Sequence, residues 1–202
     1  MYNPSHFRVE DRKAILGLIR EYGFGMVFGS NGDQDFVSHV PMVIDDSGKA
    51  IRGHFAAENS MSSSMDGKRV LAVFQGPHHY ISPVWYGKDH MVPTWNYVTV
   101  HATGTMRIMK QPDEKVRVLD ELANYYEAQI GGSWKADWSD VVFLKMLDHI
   151  VAFEIAVDKL EGKWKLSQNY PVENVMSVAK RLREIGTPEA HAMSDLMENS
   201  RK

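Results

Sequence analysis

Cysteine is absent from the 202 residues, which removes disulfide frameworks, iron–sulfur ligation, cysteine-bound zinc and thiol catalysis together. Redox chemistry on such a chain needs a bound cofactor. Charge of one sign is equally scarce. Lys and Arg number 23 against 26 Asp and Glu, a formal net charge of -3, so no global positive field draws in DNA or acidic lipid. No stretch approaches the ~20 apolar residues of a membrane span. Met1-Tyr2-Asn3-Pro4 lacks the cationic and apolar regions of a secretory signal, and the expectation is a cytoplasmic protein with no membrane contact. Also missing are the phosphate-binding P-loop, a strand-anchored dinucleotide fingerprint, the paired-histidine zinc helix and the serine nucleophile elbow. Repeats and low-complexity tracts do not occur.

What is present is an ordinary globular composition, 44% apolar and 24% charged, in a chain long enough to bury roughly 70% of its unfolded surface. Residues 9–22 space Ala14, Ile15, Leu18 and Ile19 as an amphipathic helix, with Gly23 to end it. From 24 to 97, short apolar runs alternate with turn signals such as Gly29-Ser30-Asn31-Gly32 and Asp45-Asp46-Ser47-Gly48, which predicts antiparallel strands. The longest strand candidate covers 95–109. Val98, Val100, Ala102, Met106 and Ile108 occupy one face, and Trp95, Tyr97 and His101 the other, with Asn96 opposite Trp95. A second helix is predicted over 112–127, ended by Gly131-Gly132, and a short third one capped by Ser139 and running to 147. Strand character returns over 150–157. Asn169 as a cap with Pro171 in the first turn opens a fourth helix, and Met193, Leu196 and Met197 mark a fifth. Because the sheet resumes after two helices, a small β-barrel with helical insertions is favoured over a meander, and the fold class is α+β with peripheral helices. Residues 1–168 form one domain with a helical insertion at about 112–147. Residues 169–202 form a helical extension packed on it.

The densest unusual segment is Phe74-Gln75-Gly76-Pro77-His78-His79-Tyr80-Ile81-Ser82-Pro83-Val84-Trp85-Tyr86. Prolines fix its direction while aromatic rings present flat faces with polar tips, which suits either a planar ligand, a subunit partner or an aromatic-filled corner. Adjacent His78 and His79 point to opposite strand faces and cannot easily share one metal ion, so no metal site is assigned. One histidine in an aromatic pocket would still serve as an axial haem ligand, and haem remains an alternative cofactor. Further on, Lys163, Lys165 and Ser167 alternate onto one side. They offer two cations and a hydroxyl to an anion such as phosphate, or else form a solvated edge, with Trp164 and Leu166 turned to the core. Lys180, Arg181 and Arg183 make one local basic cluster, diluted by Glu173, Glu184 and Glu189 and not flanked by a helix-turn-helix pattern.

The string Phe74-Gln75-Gly76-Pro77-His78, Tyr80-Ile81-Ser82, Trp85-Tyr86, Val92-Pro93-Thr94-Trp95-Asn96-Tyr97, His101 and Lys165-Leu166-Ser167-Gln168-Asn169 closely resembles the PaiB family of FMN-binding negative transcriptional regulators, also called protease synthase and sporulation regulators. Met1-Tyr2-Asn3-Pro4-Ser5-His6-Phe7, His39-Val40-Pro41, Gly53-His54 and Met193-Ser194-Asp195-Leu196-Met197-Glu198 extend the likeness over almost the whole chain. The resemblance implies a split β-barrel related to flavin-dependent pyridoxamine-phosphate oxidases, with FMN as cofactor. It implies a homodimer with ligand sites at the subunit interface. Positions matching the family motifs are His54, Asn59, Gln75, His78, Tyr80, Trp85, Trp95, Asn96, Lys165, Ser167 and Gln168. Lys163 joins them from its alternation with Lys165. One departure is local: Asn59-Ser60-Met61-Ser62 stands where the family usually carries Asn-Pro-Gln-Trp. The family implies a regulator more firmly than a reaction. Catalytic residues stay unassigned, direct DNA binding has weak support, and a haem-binding protein or a flavin-dependent oxidoreductase without direct DNA binding is the competing reading.

Overall fold

Short alternating runs between turn signals fold as strands that pair with their neighbours in sequence. In the computed structural model, which describes residues 1–201, β1 (Arg8–Val9) and α1 (Arg12–Glu21) precede β2 (Phe24–Ser30), β3 (Asp35–Ile44) and β4 (Ala50–Ala56). A one-turn helix α2 (Met61–Ser64) leads to β5 (Arg69–Ile81), a 3-10 turn at Pro83–Tyr86 and β6 (Thr94–Met109). Then come α3 (Pro112–Gln129), α4 (Val141–Met146), β7 (Ile150–Lys165), α5 (Val172–Ile185) and α6 (Pro188–Asn199). The strands form one sheet in the order β1-β7-β4-β3-β2-β5-β6, with an additional β6–β7 pairing that closes it into a partial barrel. The α+β architecture and the β-barrel expected from the resumption of strand character are both found.

The chain divides into two compact units. One comprises Met1–Ile15, Gln75–Val100 and the chain from Glu161 onward, and the other Leu16–Phe74 and His101–Leu160.

In the second unit, β3 pairs antiparallel with β2 and β4, and β4 with β7, so that Ile51 faces Ile155 and Gly53 faces Phe153. The β3–β4 turn is tied by Asp45, whose carboxylate accepts from the Lys49 and Ala50 amides at 2.8 and 3.1 Å, and Gly48 supplies the left-handed φ of +64° the turn needs. Val118 and Leu122 of α3 pack with Val43, Met109 and Ala152, all buried. Each of the larger side chains among them contributes about 1.5–3 kcal/mol of burial. On the polar side of this sheet, Arg52 Nε donates to Glu154 at 2.7 Å and Nη1 to Glu121 at 3.2 Å, joining β4, β7 and α3.

In the first unit, α5 and α6 pack against each other through Val175, Val178, Leu182, Met193 and Met197, all fully buried. α5 also docks on the 3-10 turn, where Asn174 Nδ2 donates to the Tyr86 carbonyl at 2.6 Å and Ser177 Oγ to that of Trp85 at 2.7 Å.

Three local expectations are corrected. α4 is capped by Asp140, whose side chain accepts from the Val142 amide at 2.8 Å; Ser139 instead donates to Asp137, a carboxylate being the stronger acceptor for an N-cap. Asn169 caps nothing: Pro171 holds the cap position of α5 in extended geometry, because the chain first turns at Ser167. β7 runs eight residues past the expected end at 157, through the exposed Asp158 and Lys159, since pairing of Arg8 with Lys163 and Val9 with Gly162 gives its polar end a partner strand. That pairing joins residues more than 150 apart and leaves no local pattern. Among the described residues no helix is long and apolar enough to cross a membrane.

Candidate functional site

Ten of the twelve candidate site residues lie in the first unit, while His54 and Asn59 lie in the second. Along β5 the covered face changes at Gly76-Pro77. Val70, Ala72 and Phe74 are buried, whereas His78 and Tyr80, of the same parity, are exposed, and Ile81 of the opposite parity is fully buried. β6 begins in the same manner, with Asn96 fully buried and Trp95 53% exposed. The result is an open aromatic surface. Tyr80 meets Trp95 edge to face at 6.1 Å, and the His78 ring lies 6.3 Å from that of Trp95. Val84 and Val92 are also exposed in this unit.

Two lysines at the C-terminal end of β7 bring positive charge to the unit. Lys165 Nζ donates to Thr94 Oγ1 and, at 2.9 Å, to the carbonyl of Trp95 itself. This leaves one ammonium proton without a partner. Lys163 is buried, donates to the Tyr2 carbonyl at 3.0 Å, and sits 5.4 and 5.3 Å from the ring centroids of Tyr2 and Tyr97. Neither ammonium has a carboxylate partner among the described residues. Burial and, after it, the charge of Lys163 hold Lys165 below the ordinary lysine range. The picture of solvated edge lysines therefore fails: both ammonium groups are bonded to the protein.

Below this surface a closed polar cluster fixes the frame. Ser167, held at φ +67°, is buried, and its Oγ lies 2.8 Å from the Tyr86 hydroxyl and accepts from Asn96 Nδ2 at 3.0 Å. Burial pushes the Tyr86 hydroxyl above its usual range. Gln168 braces the same turn, accepting from the Leu166 amide at 2.7 Å and donating to the Trp164 carbonyl at 2.6 Å. Ser167 and Asn96 are thus bonded to each other and Ser167 to Tyr86, and Gln168 to the backbone of its own turn. Gln75 is exposed with one long contact to the Gly76 carbonyl, and Trp85 gives its carbonyl to Ser177. In the second unit, Asn59 donates to Ser38 Oγ and accepts from the Met61 amide, both at 2.9 Å, while His54 lines a separate cavity of that unit. Tyr2, Thr94, Tyr86 and Tyr97 were missed as partners. Tyr97 shares strand parity with Trp95, a signal that was legible, but Tyr2 reaches Lys163 across 161 residues of sequence and nothing local marks it. Among the described residues no group of three or more His, Asp or Glu side chains is arranged to hold a metal ion.

The fold recurs in solved structures. The chain superposes on an FAD- and haem-binding protein from Mycobacterium smegmatis with a TM-score of 0.61 at 13% identity, covering 78% of this chain and 73% of that one. The flavocytochrome Anf3 from Azotobacter vinelandii gives 0.58 at 9% identity, covering 78% and 69%. The sheet order, its closure and these likenesses define a split β-barrel protein. Residues 1–159 match the family described as "Putative FMN-binding domain". Over 206 aligned residues the chain is 33% identical to the protease synthase and sporulation protein PAI 2 of Bacillus subtilis, spanning 100% of this chain and 99% of that protein. The chain belongs to this flavin-binding family, as the motif string implied.

Proposed function

We propose that the chain is a homodimeric FMN-binding regulator in which Trp95, Tyr80 and His78 face the flavin ring and the free proton of Lys165 meets its phosphate. The observation that carries this reading is two ammonium groups without a carboxylate partner in the same unit as an open aromatic surface. An isoalloxazine needs flat walls, and its phosphate a cation the protein has not already neutralised. FMN, once bound, would supply one- and two-electron redox chemistry. The chain's own contribution is to bind and orient: the Ser167–Asn96–Tyr86 cluster holds the β7 end against β6, and the Trp95 carbonyl ties Lys165 to the ring it serves. An exposed surface of this apolar character also suits a second copy as partner.

The regulatory part rests on the relative's name and on the family, and indirect action is favoured over DNA contact. Arg181 is paired with Glu184 at 2.5 Å, and Arg183 with Asp195 and Glu198 at 2.5 and 3.0 Å, so both arginines of the basic cluster of α5 are paired within the protein. The deciding experiment is the visible spectrum after FMN addition and desalting. Retained flavin absorbance near one per chain, with tryptophan quenching and twice the chain mass in light scattering, is the expected outcome. A colourless protein with unquenched tryptophan refutes it, and a Soret band on haem addition lost with His78 would replace flavin by haem. Mobility shifts with promoter DNA at physiological salt should be blank.

A further inference from the structure

The second unit contains a cavity of about 510 Å³ whose walls are almost wholly apolar. Its aromatic side is built from Trp134, Trp138 and Phe143, the Phe143 ring lying edge-on to both indoles at 6.1 and 6.2 Å. These residues come from the stretch after α3 and from α4, and two carboxylates of α3 hold the tryptophans in place. Asp120 Oδ1 accepts from Trp138 Nε1 at 2.8 Å, and Glu127 Oε2 accepts from the Trp134 amide at 3.0 Å. Tyr126, a fourth aromatic wall residue, donates its hydroxyl to the Met42 carbonyl at 3.1 Å.

His54, projecting from β4, differs from these. Its Nδ1 is buried and has no hydrogen-bond partner. Burial also holds its imidazole below the usual range, which keeps it neutral at physiological pH. A buried polar atom left without a partner costs about 1–3 kcal/mol. Nδ1 itself is closed off, but His54 lines the cavity, so a rotation of its ring would let a partner from outside the chain meet that nitrogen. No lysine or arginine lines the cavity, and Asp120 and Glu127 are its charged groups. An anion is therefore disfavoured there, which separates this site from the phosphate chemistry of Lys165.

We propose that this cavity is a second binding site, for an uncharged, mainly aromatic small molecule carrying one hydroxyl or amine that pairs with the His54 imidazole. The inference does not depend on flavin binding in the first unit. The probe is N-phenyl-1-naphthylamine, an uncharged diarylamine with a single N–H, titrated into the full-length protein. Its anionic counterpart, 1-anilinonaphthalene-8-sulfonate, is titrated in parallel. Saturable fluorescence enhancement at one probe per chain is expected, with energy transfer from tryptophan that drops in Trp134→Phe and Trp138→Phe. The sulfonated probe should bind at least tenfold more weakly. Ala123→Phe, which fills the cavity from α3, should abolish binding, and His54→Leu should weaken it about three- to tenfold. Saturating FMN should leave the titration unchanged. The proposal is overturned by a flat titration, by binding indifferent to Ala123→Phe and to both tryptophan variants, by equal binding of the sulfonated probe, or by displacement with FMN. Binding that appears only on dilution of a dimer also overturns it, by showing that a second copy fills the mouth. Should Ala123→Phe fail to fold, the tryptophan variants and the sulfonate comparison decide alone.

Discussion

Replacing Lys165 with Met removes the ammonium while keeping most of the apolar stem, and its effect on FMN affinity follows from the geometry. A phosphate charge about 4 Å from an ammonium at an effective dielectric near 20 is worth about 4 kcal/mol. Lys165 is half-buried rather than enclosed, and it already donates to Thr94 Oγ1 and the Trp95 carbonyl, so solvent screening reduces the expected loss to about 2 kcal/mol, a ~30-fold rise in Kd. Flavin fluorescence quenching measures this directly at two salt concentrations. The wild-type affinity should fall with salt while that of the variant changes less. Lys165→Arg should recover most of the binding, because the charge is kept. A pH series adds a second reading. Since burial and Lys163 depress the Lys165 pKa, affinity should begin to fall at a pH below that of an ordinary lysine. A Kd within about threefold of wild type in Lys165→Met, with the melting temperature unchanged, would refute the assignment of Lys165 to the phosphate.

Other outcomes follow from the same structure. Gly104→Ala would drive a Cβ into the Ala156 carbonyl oxygen, well inside any normal approach; the backbone there has to move, and a loss of at least about 2–3 kcal/mol in urea unfolding is expected. Asn96→Ala removes the donor to Ser167 Oγ from a fully buried position, so about 2–4 kcal/mol of stability should go, with flavin affinity falling further than Thr94→Ala lowers it. For His54 the folded pKa lies below the unfolded value of 6.5. The unfolded chain then binds the extra proton first, and stability should be complete above that value and decline as pH falls through it towards the folded pKa. His54→Phe should flatten this acid limb in a thermal-melt series.

Much of the fold was legible because it is written in local spacing. The amphipathic pattern of α3, the alternation of β6 and the turn at Asp45–Ala50 each depend on residues a few positions apart. The candidate site was legible in part, since Trp95, Tyr80 and Lys165 are uncommon residues in a dense string. What the string did not carry was which of them remain open. Strand parity assigns His78 and Phe74 to one face of β5, yet one is exposed and the other fully buried, because coverage is set by whatever packs on that face further along the chain. The same applies to Ser167 and Asn96, read as possible ligand contacts and found bonded to each other, and to the lysines, whose partners Tyr2 and Thr94 come from distant segments.

The sequence alone therefore determined the element types, the absence of thiol chemistry, the near-balanced charge and the family, since these rest on composition, on short-period patterns and on an unusual order of residues. Tertiary structure decided the eight-residue extension of β7, the division of polar side chains between frame and open surface, and the cavity around His54. Each of those depends on contacts between residues far apart in the chain, and burial, which governs both hydrogen-bond partnership and charge state, has no counterpart in local sequence.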